Sequence, residues 1–310
     1  MPTQKKPKTE TEALAVSAYV TARRTADRVL DRFALNPIQS IWEVQTGAFM
    51  RSIRKALGGR LSDDLTPVAL DQVNYLVLNQ MPHLTGRVVT ALQGSTRDTI
   101  VESVHSIANS LGRVRKVDSV LDDLHVAQAI AQRWTAHHNA LRLESSKGIQ
   151  SGIAQAIHRN LGELRADFSQ HKIRDVVAKI ESTTEDQWYQ VERLVRTETA
   201  SSWNAAANDC LMTAAQELPQ LRSRWTEMIN DLTNVPFDKK VAVDSIVMHG
   251  QVARPGFAFT MPSDPGVSQY SGKSWVYPPN RPNDRSCLVP WMPDWGIPGW
   301  QVIGASRVDI

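Results

Sequence analysis

The chain has 310 residues, 22% of them charged and 42% apolar, enough for one large or two ordinary globular domains and too apolar for a disordered chain. Its formal net charge of +3 lacks the strong basic excess of a dedicated nucleic-acid binder and leaves room only for a local basic patch. No apolar run approaches the roughly 20 residues that span a bilayer, so no membrane contact is expected.

Residues 1–9 carry Lys5, Lys6 and Lys8 and no acid, the composition of a mobile tail or, in a sharper reading, a docking arm. No apolar core follows these lysines, so no secretory signal is expected and the protein is placed in a cytoplasm. The stretch from Glu10 to about Ala34 is rich in Ala, Arg and Leu and predicts a helix that stops before Asn36-Pro37. A second helix is expected from Pro37 to Leu57, closed by Gly58-Gly59. A third starts near Thr66-Pro67, and Pro82 is expected to kink or divide it. Ile100, Val104, Ile107, Leu111 and Val114 then share one helical face. So do Ile149, Ile153, Ile157, Leu161, Leu164 and Phe168. A short helix is expected over Lys172–Ile180. Thr184-Glu185-Asp186-Gln187 has the form of a capping box that opens a long helix ending at Leu218-Pro219.

Composition changes after that point. Of 16 prolines, 11 lie at or after Pro219, and seven of nine tryptophans lie at or after Trp188. Short strands are expected at Val252, at Phe257–Phe259, at Trp275–Tyr277 and, last, at Cys287–Val289. The segment 240–247 fits either a helix or a strand. The fold class expected is mainly α: a long-helix N-terminal region (10–185) with a small, loop-rich α+β C-terminal domain (186–292) and an extended tail (293–310). From Trp291 onward, Trp291, Trp295 and Trp300 stand among Pro and Gly and are expected to anchor a partner subunit, the alternative being grooves of the same chain. Cys210 and Cys287 are expected as reduced thiols. His137 and His138 are adjacent on a helix, diverge by about 100° and are not a ligand pair. No metal or other cofactor is expected.

The long last helix contains VERLVRTETASSWNAAAND. Arg196-Thr197-Glu198-Thr199 followed by Asn204 resembles the opening signature of minor head proteins of the Mu F type, the phage head morphogenesis family. The pieces after it come in that family's order: Trp225, Asp231, Asp244, His249-Gly250, Phe257 and Phe259, Pro262-Ser263-Asp264-Pro265, and Asp284-Arg285-Ser286-Cys287. The resemblance covers about residues 186–292. The family's histidine falls where this chain has Asp244, and its two closing cysteines reduce to Cys287. The resemblance implies a virion protein of a tailed phage, in the capsid interior or at the portal vertex, made in the host cytoplasm. It implies the portal protein as partner, then the major capsid or scaffold protein, with packaged DNA a weaker contact.

On that helix Arg193, Thr197, Ser201, Asn204 and Asn208 form a polar stripe. Its structural reading is that Arg196, Glu198 and Asn204 fasten loops unable to satisfy their own backbone groups. Its catalytic reading groups Arg196, Glu198, Asp244 and His249 as an acid–base set, or takes Arg and Glu as in ADP-ribosyltransferases. No Glu-x-Glu motif, P-loop, G-x-S-x-G or H-E-x-x-H pattern accompanies them. The expectation is a structural protein without catalysis, with an injected effector enzyme or a basic-tailed DNA-binding factor as the alternatives.

Overall fold

The computed structural model describes residues 7–58, 61–115, 124–227, 229, 231, 243–263, 269–281, 284–303 and 306–309. It is mainly α, with long helices in the N-terminal region and the strands confined to the C-terminal region. Among the described residues five α-helices precede the first strand: α1 Glu10–Val29, α2 Asn36–Leu57, α3 Pro67–Arg115, α4 Leu124–Ala166 and α5 Ile173–Glu217. Thr9 caps α1, its hydroxyl accepting from Glu12 N at 3.1 Å.

Three helix boundaries differ from the sequence reading. The chain does not leave the helix before Asn36-Pro37; a π-helical turn over Leu30–Leu35 joins α1 to α2. Leu35 keeps right-handed helical angles, and Pro37 sits in the first turn of α2, where a missing N–H costs little. Pro82 lies inside α3 without dividing it. Thr184 does not open a helix. Its hydroxyl donates back to Ile180 O at 3.1 Å and Glu181 O at 2.8 Å, as a helix-interior threonine does, and α5 runs through it from Ile173. The working N-terminal device lies earlier: the Asp175 carboxylate accepts from Lys172 N at 2.6 Å.

The chain divides into two compact units, and not at residue 185. One comprises residues 1–33, 96–138 and 196–310; the other, residues 34–95 and 139–195. The second unit is mainly helical, with one antiparallel bridge, Asp64–Lys172, just before α3 and α5 among its described residues. Its buried residues include Ile38, Trp42 and Ile53 of α2, Leu70, Val77 and Leu92 of α3, Ile153 and Ile157 of α4, and Val176 and Val195 of α5. Of the two expected faces, Ile100, Val104, Ile107 and Leu111, and then Ile153, Ile157, Leu161 and Leu164, are buried; Val114 is half-buried, Phe168 is 38% exposed, and the side chain of Ile149 lies outside the described residues.

Every strand among the described residues lies in the first unit. β1 Arg222–Thr226 is the centre of an antiparallel sheet, with β2 Val252–Ala253 on one side and β5 Cys287–Trp291 on the other. Trp225 faces Leu288 in the β1–β5 register. A six-residue helix α6, Val243–Met248, and a small pair, β3 Phe259–Thr260 with β4 Ser274–Trp275, complete the loop region. β6 Trp300–Ile303 and β7 Ser306–Asp309 form a hairpin, so the expected extended tail is a paired one. Core residues come from α1 (Ala15, Tyr19, Ala22), α3 (Ile100, Val104), α5 (Ala206, Ala207, Cys210) and β5. The small side chains of α5 let its backbone approach the sheet closely.

Candidate functional site

Asn204 is the clearest link between the motif helix and the sheet. Its amide nitrogen donates to Ala200 O at 2.9 Å and Ser286 O at 3.0 Å, and its oxygen accepts from Leu288 N at 2.8 Å. One fully buried side chain thereby satisfies backbone groups at the start of β5. One turn on, Asn208 Oδ1 accepts from Gly256 N at 3.1 Å. Asn204 and Asn208 of the polar stripe thus bond to backbone groups of the loop region.

Behind β1 lies a buried charge network. Asp231 receives Arg224 Nη1 at 2.6 Å on one oxygen and Arg23 Nη2 at 2.8 Å on the other. His249 Nε2 stands 3.6 Å from the same carboxylate. His249 Nδ1 accepts from Glu227 N at 3.1 Å, which leaves the ring proton of a neutral imidazole on Nε2, facing Asp231. Arg23 also donates to Thr226 Oγ1. The Tyr19 ring lies under the Arg224 guanidinium at 5.3 Å. Burial pushes the Asp231 carboxyl up, but Arg23, Arg224 and His249 overcome it and hold it well below the usual carboxylate range.

A second carboxyl pair adjoins this layer. Burial, and then the neighbouring Asp284, raise Glu227 well above the ordinary carboxyl value. The Ser286 hydroxyl lies within hydrogen-bonding reach of both carboxyls, and Asp284 also accepts from the N–H groups of Asn280 and Ser286, each at 3.0 Å. Two buried carboxyls so placed resist ionising together, and the proton they share is held by Glu227 above the ordinary carboxyl range.

The remaining expected residues fall as follows. Trp225 is fully buried, edge-on to Phe259 at 5.4 Å. Asp244 lies beside the layer and pairs with Arg281 at 3.1 Å. Cys210 and Cys287 are free and buried; burial pushes the Cys210 thiol up to about 12 and Cys287 higher still, so neither supplies a thiolate. Asp264 and the side chains of His137 and His138 lie outside the described residues. Arg196, Thr197, Glu198 and Arg285 are half-buried rather than part of the buried layer. Arg196 and Arg285 line a narrow cleft of about 40 Å³ with Asp27, Thr199 and Trp203. Burial raises the Asp27 carboxyl despite the pull of Arg285 and Arg196. Thr199 Oγ1 and Trp203 Nε1 are buried there without a hydrogen-bond partner among the described residues.

The three tryptophans expected at a partner surface are core residues: Trp291, Trp295 and Trp300 are 1–2% exposed. The indole of Trp291 donates to Ile297 O, and that of Trp300 to His249 O, each at 2.8 Å. Trp295 packs on Tyr19 with ring centroids 6.4 Å apart. Their grooves belong to their own chain, because its loops supply the carbonyl acceptors and α1 supplies an aromatic wall. Gly250 belongs to the same construction. At φ +84°, a side chain there is strained, and its Cβ meets Trp300 at 3.3 Å.

Sequence reasoning missed Arg23, Tyr19, Arg224 and Glu227. Arg23 and Tyr19 carry no local signal, since a buried arginine in an Arg-rich amphipathic helix looks like its solvated neighbours. Arg224 and Glu227 flank Trp225 in the alternating stretch SRWTE, where burial of both faces was the missing information.

No cluster of His, Cys, Asp and Glu suited to a metal ion occurs among the described residues, and no described helix is long and apolar enough to cross a membrane. Comparison with protein-family models, with curated proteins and with solved structures finds no match to this chain.

Proposed function

We propose that the chain is a structural minor head protein of a tailed bacteriophage, bound at the portal vertex or capsid interior and assisting head morphogenesis or genome delivery. The portal protein is its first partner, the major capsid or scaffold protein the next. It resides in the virion after assembly in the host cytoplasm.

The observation that supports this reading is where the motif residues lie. Asn204, Trp225, Asp231, His249 and Cys287 are all between 0% and 5% exposed; His249 faces Asp231, and Asn204 holds the backbone on either side of Cys287. Residues held in a closed interior in this way maintain a fold. Catalysis needs a reacting atom within reach of substrate, and His249 has no exposed surface. The motif order that suggests a head protein is thus accounted for without catalysis.

The test is composition of the particle. Purified virions are expected to contain the chain at a fixed low copy number, and detergent-solubilised portal to retain it. Absence from particles defeats the proposal. The rival enzyme reading is confined to the cleft of Arg196 and Arg285, the exposed part of the motif. It requires Arg196→Ala and Glu198→Ala to spare folding while abolishing a measurable transferase activity.

A further inference from the structure

We infer that a cleft between α1 and α3 in the strand-containing unit binds the phosphate backbone of duplex DNA. The cleft measures about 150 Å³ and is lined chiefly by Thr21, Thr25 and Arg28 of α1 and His105, Asn109 and Arg113 of α3. Arg28 and Arg113 are exposed, and neither has an ion pair among the described residues. Glu102 is the one acid in the lining. The hydroxyl of Thr21 is committed to Ser17 O at 2.8 Å, and that of Ser110, also in the wall, to Ser106 O at 2.8 Å. Against the one carboxylate of Glu102, the lining offers two guanidiniums, an imidazole, an amide and the Thr25 hydroxyl. These are the side chains that hold phosphate oxygens in protein–DNA contacts.

A polymer explains the surroundings better than a single ion. Arg24 and Arg32, both exposed, stand one turn to either side of Arg28. At a rise of 1.5 Å per residue Arg24 lies about 6 Å before Arg28 along α1, and Arg32 follows in the π-helical turn. Asp27 and Asp31 are the acids within this stretch. One bound phosphate has no use for the flanking arginines; a backbone of regularly spaced phosphates does. The overall charge of +3 is no obstacle, because binding of this kind depends on local cations that release counterions, not on the net charge of the chain.

The inference deepens the head-protein reading by giving the packaged-DNA contact a place on the chain. Its test uses the purified full-length protein without portal or particle, so its failure leaves the head reading standing, and absence from virions leaves this site standing. Fluorescence anisotropy of a short labelled duplex is measured across a salt series from about 50 mM upward. Wild type is expected to bind. Arg28→Ala with Arg113→Ala is expected to lose at least about tenfold in affinity, with a slope of log K against log salt shallower by about 2. A charge-matched control, Arg87→Ala with Arg159→Ala in the helical unit, is expected to keep wild-type binding. All four positions are exposed, and circular dichroism checks that each variant is folded. The inference is overturned if wild type fails to bind at the lowest salt, or if the control loses as much as the cleft variant. It is also overturned if inorganic phosphate raises the melting temperature while the duplex is not bound, because the ligand is then the free ion.

Discussion

Arg23 and Asp231 are 208 residues apart in sequence and 2.8 Å apart in the fold, both buried. The pair ties the first helix of the chain to the loop after β1, and Arg224 completes it from the strand itself. Removing one member leaves the others charged and unsolvated. Arg23→Ala and Asp231→Ala are each expected to cost about 3–5 kcal/mol, read as a lowered urea midpoint at pH 7. A loss under about 1 kcal/mol refutes a buried, structurally essential pair.

The same carboxylate sets a pH dependence at the acid end. Asp231 ionises more readily in the fold than in the unfolded chain, where its value is 3.8. Its contribution is therefore complete above that value and is lost as the pH falls below it towards the depressed folded value. In Asp231→Asn this acid-side loss should be missing from the stability–pH curve, although the variant is weaker throughout. Equilibrium denaturation between pH 2 and pH 6 checks both statements, within about a unit of pH.

Glu227 acts in the opposite direction. Its folded value is raised above the ordinary 4.5, so the proton it holds favours the fold below 4.5. Stability is then lost as the pH rises from there through the raised folded value, at up to ~1.4 kcal/mol per pH unit for this one proton. Glu227→Gln imitates the protonated form and should flatten that decline, making the variant relatively more stable at pH 8 than at pH 4. Parallel curves for wild type and variant contradict the shared-proton account.

Asn204→Ala strands Ser286 O and Leu288 N inside the first unit. Each orphaned group costs about 1–3 kcal/mol, so a loss of several kcal/mol is expected by thermal or chemical denaturation. Asn204→Asp keeps the acceptor for Leu288 N and removes the donors. It should destabilise more at neutral pH than at low pH, where the new carboxyl is neutral.

Trp300 separates a core role from a docking role in the isolated protein. Trp300→Ala is expected to cost about 3–5 kcal/mol through its cavity, and Trp300→Phe about 1–3 kcal/mol through the acceptor left at His249 O. A partner anchor behaves otherwise: its truncation spares the free chain and weakens only the complex. Melting temperatures of the three proteins without partners decide this.

Helix faces such as Ile100, Val104, Ile107 and Leu111 were legible because a 3.6-residue period and its burial come from the same local geometry. The Asn204 contact was half legible. An asparagine on a polar stripe asks for backbone partners, but nothing local says that they are Ser286 and Leu288. Thr184 misled because a capping box and a helix-interior threonine share one sequence, and only the unbroken bonding from Ile173 distinguishes them. The tryptophans misled for a related reason: aromatic groups among Pro and Gly need a groove, and composition does not say whose.

Local sequence thus set the helical class, the strand-bearing end and the order of the motif pieces, since each depends on neighbours within a few residues. The division into two units, the recruitment of Tyr19 and Arg23 to the strand-bearing one, and the protonation of Asp231 and Glu227 were decided by the tertiary fold. Burial and charge pairing depend on distances in space, and those distances join residues that no local pattern relates.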